Sequence, residues 1–123
     1  MLRIPLTTLL AAALLPACAG PAADPARAAA PAAASVAMAL PLGTRQCEPG
    51  GPTAESLAGV LRGAGISVTA VSCGHDGRMR PAVCGAGDGR LAVVDVPAAQ
   101  QAQAEALGWK PLSAMPDARR QPC

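Results

Sequence analysis

Four cysteines, Cys47, Cys73, Cys84 and Cys123, are spread over residues 42–123, a stretch that must build its core almost without aromatic side chains. The chain has no Phe, no Tyr and a single Trp, Trp109. Large rings supply much of the buried area in ordinary cores, so a domain this small stands near the lower limit of what folds unaided. Disulfides fill that deficit. Each adds about 2–4 kcal/mol, mainly by restricting the unfolded chain, against a total stability of roughly 5–15 kcal/mol. An even number of cysteines in an exported chain points to two disulfides. Four cysteines allow three pairings, and the sequence alone does not choose among them. Cys73–Cys84 is favoured because it closes a local loop, leaving Cys47–Cys123 by exclusion.

Export is read from the first residues. Met1-Leu2-Arg3 is a short basic start, and residues 4–15 form an apolar run too short to cross a bilayer comfortably, so residues 1–17 are expected to be a signal peptide. The run ends in Leu15-Pro16-Ala17-Cys18. This end resembles the lipobox of bacterial lipoproteins, with an aliphatic residue three before the cysteine and a small one directly before it. Pro16 departs from the usual middle residue. The resemblance implies cleavage before Cys18, acylation of Cys18, and a membrane partnership through that N-terminal lipid. Ala19, where inner-membrane lipoproteins typically carry Asp, implies an outer-membrane anchor facing the periplasm. Beyond the lipobox the chain is similar only in general character to the small, uncharacterised lipoproteins of GC-rich proteobacteria. The competing reading is ordinary secretory cleavage at Ala17-Cys18-Ala19, releasing a soluble periplasmic or secreted protein from Gly20.

Residues 18–41 are rich in Ala and interrupted by Pro21, Pro25 and Pro31, which reads as a tether to a domain at 42–123. Within that domain, residues 66–73 alternate apolar and polar side chains as a half-buried strand does, and residues 91–96 form a second strand. Thr53 is an expected N-cap of a helix whose Leu57, Val60, Leu61 and Ala64 make one apolar stripe, ended by Gly65. A second helix is expected from Pro97 to Gly108, with Ala99, Ala102, Ala106 and Leu107 inward and Gln100 outward. Trp109 closes the core. A weak first strand at 42–47 and a short last one at 110–113 complete the order β-α-β-β-α-β. The expected fold class is therefore α+β, a small two-layer sandwich of ferredoxin-like arrangement, two helices on an antiparallel sheet, stabilised by disulfides. Residues 115–123 are expected to be irregular.

Candidate chemistry gathers between the two middle strands. Cys73, His75 and Cys84, with Met79 nearby, are ligand types suited to zinc or copper. No CxxC or HxxxH spacing supports them, and export favours oxidised thiols. Cys73 and His75 share a strand face as a nucleophile and base would, without a visible third group to orient them. Gly85-Ala86-Gly87-Asp88-Gly89 lacks the Lys-Ser/Thr and the following helix of a phosphate loop, and reads as a turn. Arg78, Arg80 and Arg90 are candidate anion contacts for a lipid head group or polysaccharide, with Asp76 and Asp88 close enough in sequence to offset them. A net charge of +2 and the lack of stacking aromatics exclude nucleic acid as a partner. Neither a cofactor nor a catalytic constellation is expected. Two function classes follow. One is a non-enzymatic, lipid-anchored accessory or binding domain of the cell envelope, contacting an anionic component or an envelope protein. The alternative is a periplasmic metal-handling or thiol-active protein using Cys73, His75 and Cys84.

Overall fold

The computed structural model describes Gly20 and residues 34–123. The signal peptide, Cys18 and most of the expected tether lie outside the described residues. The architecture is α+β. Strands β1 (Ser35–Pro41), β2 (Ala70–His75), β3 (Arg90–Pro97), β4 (Lys110–Pro111) and β5 (Arg119–Gln121) form one sheet in the order β4-β1-β3-β2-β5. Every neighbouring pair is antiparallel. Two helices, α1 (Ala54–Gly63) and α2 (Gln101–Ala106), interrupt the strands, α2 being led in by a 3-10 turn at Ala98–Gln100.

The first strand is not at 42–47; it is Ser35–Pro41, inside the segment that reads as tether. Its logic is a period of two. Val36, Met38 and Leu40 pack with the main core, while Ala37 and Ala39 face the other side of the sheet. All seven residues pair with β3, from Ser35 opposite Pro97 to Pro41 opposite Leu91. Residues 42–47 instead form a loop with one isolated bridge, Arg45 to Gly87. The second strand also shifts, from the expected 66–73 to Ala70–His75.

Helix α1 begins where its cap dictates. The Ser56 N–H donates to Thr53 Oγ1 at 3.0 Å and the Thr53 N–H donates to Ser56 Oγ at 2.9 Å, a reciprocal capping box. The buried stripe, however, is Ala54, Ala58 and Leu61, with Leu57 partly covered; Val60 is 62 % exposed. Alanines at the contact let the helix lie close to the sheet, so the i, i+3, i+4, i+7 pattern starts three residues earlier than the bulky side chains suggest. In α2 only Ala104 is buried. Ala102, Ala106 and Leu107 face solvent, whereas Gln100 accepts the Ser67 N–H at 2.8 Å and donates to the Gly65 carbonyl at 3.2 Å, stitching the two helical segments together. Trp109 is buried in the main core.

The expected sandwich has two layers, yet the sheet's second face is covered as well. From β4 at one edge the chain makes a 3-10 turn at Leu112–Ala114 and crosses beneath the sheet to β5 at the opposite edge. Leu112, Met115 and Ala118 on this strap pack against Ala37, Ala39, Leu91 and Val93. The segment 115–123 is thus a structural strap ending in a strand. Arg120 latches its end: one guanidinium nitrogen donates to Asp95 Oδ1 at 2.6 Å and the other to Ser72 Oγ at 3.1 Å, reaching across β2 to β3. Gly74 makes room for it, since a Cβ there would stand 2.9 Å from both the Arg119 carbonyl and Val93 Cγ2.

The disulfides are Cys47–Cys84 and Cys73–Cys123, not Cys73–Cys84 and Cys47–Cys123. The strap explains the difference. By pairing with β2 so that Gln121 stands opposite Cys73, β5 carries Cys123 to that cysteine. The bridge from Arg45 to Gly87 likewise brings Cys47 to Cys84.

Candidate functional site

Residues 76–89 link β2 to β3 and are pinned at several points. At their base the Gly77 N–H donates to His75 Nδ1 at 3.0 Å, which assigns the imidazole proton to Nε2, and Nε2 donates to the Asp88 carbonyl at 3.1 Å. The Asp76 N–H donates to the Gly89 carbonyl at 3.0 Å. Asp76 then organises the turn. It accepts a two-pronged bond from Arg80, at 2.7 and 2.6 Å, and a third from the Arg78 N–H at 3.0 Å. The Arg80 guanidinium, together with that N–H, outweighs the cost of burial and holds the Asp76 carboxyl down at about 2. Burial alone would push Asp88 up; the Thr44 hydroxyl at 2.8 Å, the Arg90 N–H at 3.1 Å and the Arg90 charge reverse that and hold it below its ordinary value. Gly89, at φ +76°, is where β3 must pass beneath this network, and a Cβ there would stand 2.8 Å from Asp76 Oδ1.

The far side of the loop is tied to residues 45–47. Cys47 bonds Cys84, Gln46 Nε2 donates to the Pro81 carbonyl at 3.0 Å, the Gln46 N–H donates to the Ala86 carbonyl at 2.8 Å, and the Gly85 N–H donates to the Gln46 carbonyl at 3.0 Å. Cys47 itself takes a φ of 65°, a left-handed conformation that costs an L-residue roughly 1–2 kcal/mol. The surrounding bonds hold it there.

Between this loop, the end of β1 and the start of β4 lies a cleft of about 330 Å³. Ala39, Leu91 and Met115 give it an apolar floor; Arg78, Arg80, Arg90 and Lys110 line it together with Asp76 and Asp88. Four cations face two carboxylates, and both carboxylates are already engaged. Asp76 is neutralised by Arg80, while Asp88 accepts from Thr44 and a backbone N–H. Arg78, Arg90 and Lys110 form no ion pair among the described residues. The cleft therefore carries surplus positive charge beside an apolar surface.

All three expected anion contacts are brought to this one place. Lys110 is the member that sequence reasoning misses. It lies far along the chain, and only the pairing of β4 with β1, which sets Lys110 opposite Ala39, delivers it. Cys73, His75 and Cys84 are arranged differently from a metal or thiol site. The two sulfurs belong to separate disulfides, both ring nitrogens of His75 are bonded, and among the described residues no three His, Cys, Asp or Glu side chains converge as a metal cluster. A second cleft, about 500 Å³, opens between the N-terminus of α1 and the Cys73–Cys123 disulfide, bounded by Leu42, Pro52, Val71 and Glu55. Its charged side chains are Glu55 and Arg90, the latter lining the first cleft as well, and the Thr53 hydroxyl there accepts the Ser56 N–H. No family model matches the chain, and no curated protein or solved structure matches it.

Proposed function

We propose that this chain is a non-enzymatic binding domain of the cell envelope, held by a lipid on Cys18 at the outer membrane, that contacts an anionic envelope component through the cleft rimmed by Arg78, Arg80, Arg90 and Lys110. The carrying observation is the surplus of positive charge in a cleft whose two carboxylates are already occupied. Two disulfides agree with maturation in an oxidising compartment, and among the described residues no helix is long and apolar enough to cross a membrane. The strand order β4-β1-β3-β2 supports reading the first four strands and two helices as a ferredoxin-like unit to which the strap and β5 are added.

The anchor is tested by Cys18→Ser. Wild type recovered from membranes should carry acyl mass on Cys18 and partition into detergent; the variant should lose both, and an unmodified Cys18 in mature wild type sinks the lipoprotein reading. The cleft is tested on residues 18–123 carrying Cys18→Ser, which lack the acyl chain. This protein should sediment with isolated envelopes at low ionic strength, and Arg78→Gln combined with Lys110→Gln should release it. Sedimentation untouched by both charge removal and salt overturns the reading.

A further inference from the structure

The loop that supplies half of the cleft's cations also carries an apolar tip. Met79 is completely exposed and Val83 is 55 % exposed, and Pro81 lies between them. Met79 sits directly between Arg78 and Arg80. A single exposed apolar residue is ordinary. Here two of them share one short loop with the cationic cleft at its base, and the loop is held by Cys47–Cys84 and the Asp76–Arg80 fork. A tip already fixed in shape loses little freedom on binding. Cations flanking a protruding apolar tip match an anionic bilayer surface: the side chains at the tip enter the acyl boundary while the guanidinium and ammonium groups stay among the phosphates.

Resting on the envelope-binding reading above, we infer that the anionic component is a phospholipid surface, and that residues 78–83 dock on it with Met79 and Val83 inserted and Arg78 and Lys110 at head-group level. Arg80 serves the fold more than the contact, since Asp76 already takes its charge. A polysaccharide fits this surface less well. Sugar rings are commonly held against aromatic faces, and the one aromatic residue, Trp109, is 3 % exposed in the core.

The test uses residues 18–123 with Cys18→Ser, sedimented with phosphatidylcholine vesicles and with vesicles enriched in phosphatidylglycerol. Binding should require phosphatidylglycerol and weaken with salt. Arg78→Gln and Lys110→Gln should each reduce it roughly fivefold, the worth of one cation near an anionic surface. Met79→Ser should reduce binding severalfold while leaving the salt dependence in place. In Met79→Trp the new indole should be quenched by brominated lipid, whereas the buried Trp109 of the parent should not. These side chains are exposed, so unchanged melting temperatures confirm that the variants fold. Equal binding to both vesicle types, or no effect of Met79→Ser and no quenching of Met79→Trp, overturns the docking mode. Displacement by inorganic phosphate beyond that caused by chloride of equal ionic strength also overturns it, in favour of a discrete phosphate in the cleft. If vesicles fail to bind while isolated envelopes still do, the inference falls and the envelope-binding reading stands with a different anionic component.

Discussion

At the scale of single residues, His75 and Asp76 show why a cluster of chemically capable side chains can be scaffold. By residue type, His75 is a candidate metal ligand or general base. In the structure it bridges the Gly77 N–H and the Asp88 carbonyl, joining both ends of the loop at 3.0 and 3.1 Å. His75→Ala is therefore expected to cost about 1 kcal/mol, the net worth of a hydrogen bond with some penalty for the groups left behind. Urea unfolding at neutral pH measures it. Asp76 adds a pH dependence of definite sign. Its carboxyl is held at about 2 in the folded chain against an ordinary 3.8, because Arg80 and the Arg78 N–H favour the charged form. The folded state thus binds this proton less readily than the unfolded one. The stability it contributes is complete above about pH 4 and drains away as the pH falls through about 2. Asp88 is shifted the same way. Solvent screens the partly exposed Arg80, so the contribution of Asp76 is on the order of 1 kcal/mol. Asp76→Asn should lower the urea midpoint at pH 7 and flatten its decline between about pH 4 and 2. A decline as steep as that of wild type would assign the acid sensitivity elsewhere.

Helix α1 was legible in everything except its phase. Thr53 as cap and the stop near Gly65 both lie where the sequence places them. The buried stripe does not, because pattern reading follows the largest apolar side chains, whereas a helix lying close on a sheet uses its smallest. Val60→Ser should consequently change stability by no more than about 0.5 kcal/mol. Ala58→Leu, at a fully buried position, should cost roughly 1–3 kcal/mol by overpacking. Comparable thermal shifts for the two would show that the helix packs on the bulkier face. The same bias hid β1. Alternating Val36, Met38 and Leu40 with alanines is a strand buried on both faces, but it follows an Ala-Pro run and shares its composition. The antiparallel sheet and both middle strands could be read from alternation and turn residues, within a few positions. The strap could not. Its Leu112, Met115 and Ala118 recur every three residues, which is not the strand period of two and, with Pro116 between them, is not a helix, and its route is set by which sheet face remains uncovered. The candidate cleft was legible to the same degree: the three arginines lie near one another in sequence, whereas Lys110 depends on the register of β4.

For the whole molecule, the two disulfides close different parts of the structure. Cys47–Cys84 spans 37 residues and ties the loop after β1 to the cationic loop. Cys73–Cys123 spans 50 and fixes the strap's end beside β2. Loop-closure entropy for spans of this size is worth up to about 4 kcal/mol each, a large share of the roughly 5–15 kcal/mol of a small domain. The expected pairing would have tied the strap's end to Cys47, in the loop after β1, instead of beside β2, where β5 pairs. The melting temperature of non-reduced protein is accordingly expected to ignore chelators and to fall steeply on reduction. Replacing Cys73 and Cys123 together by Ala should expose apolar surface on the strap side, read as dye binding well below the melting transition. Replacing Cys47 and Cys84 together should lower stability with less such exposure, since the loop they tie covers little of the core. Peptide mapping without reduction identifies the bonds directly, and a fragment joining Cys73 to Cys84 would overturn the pairing. A melt lowered by chelator but indifferent to reductant would turn Cys73, His75 and Cys84 back into metal ligands. The bonded nitrogens of His75 and the placement of the two sulfurs in separate disulfides predict the opposite response.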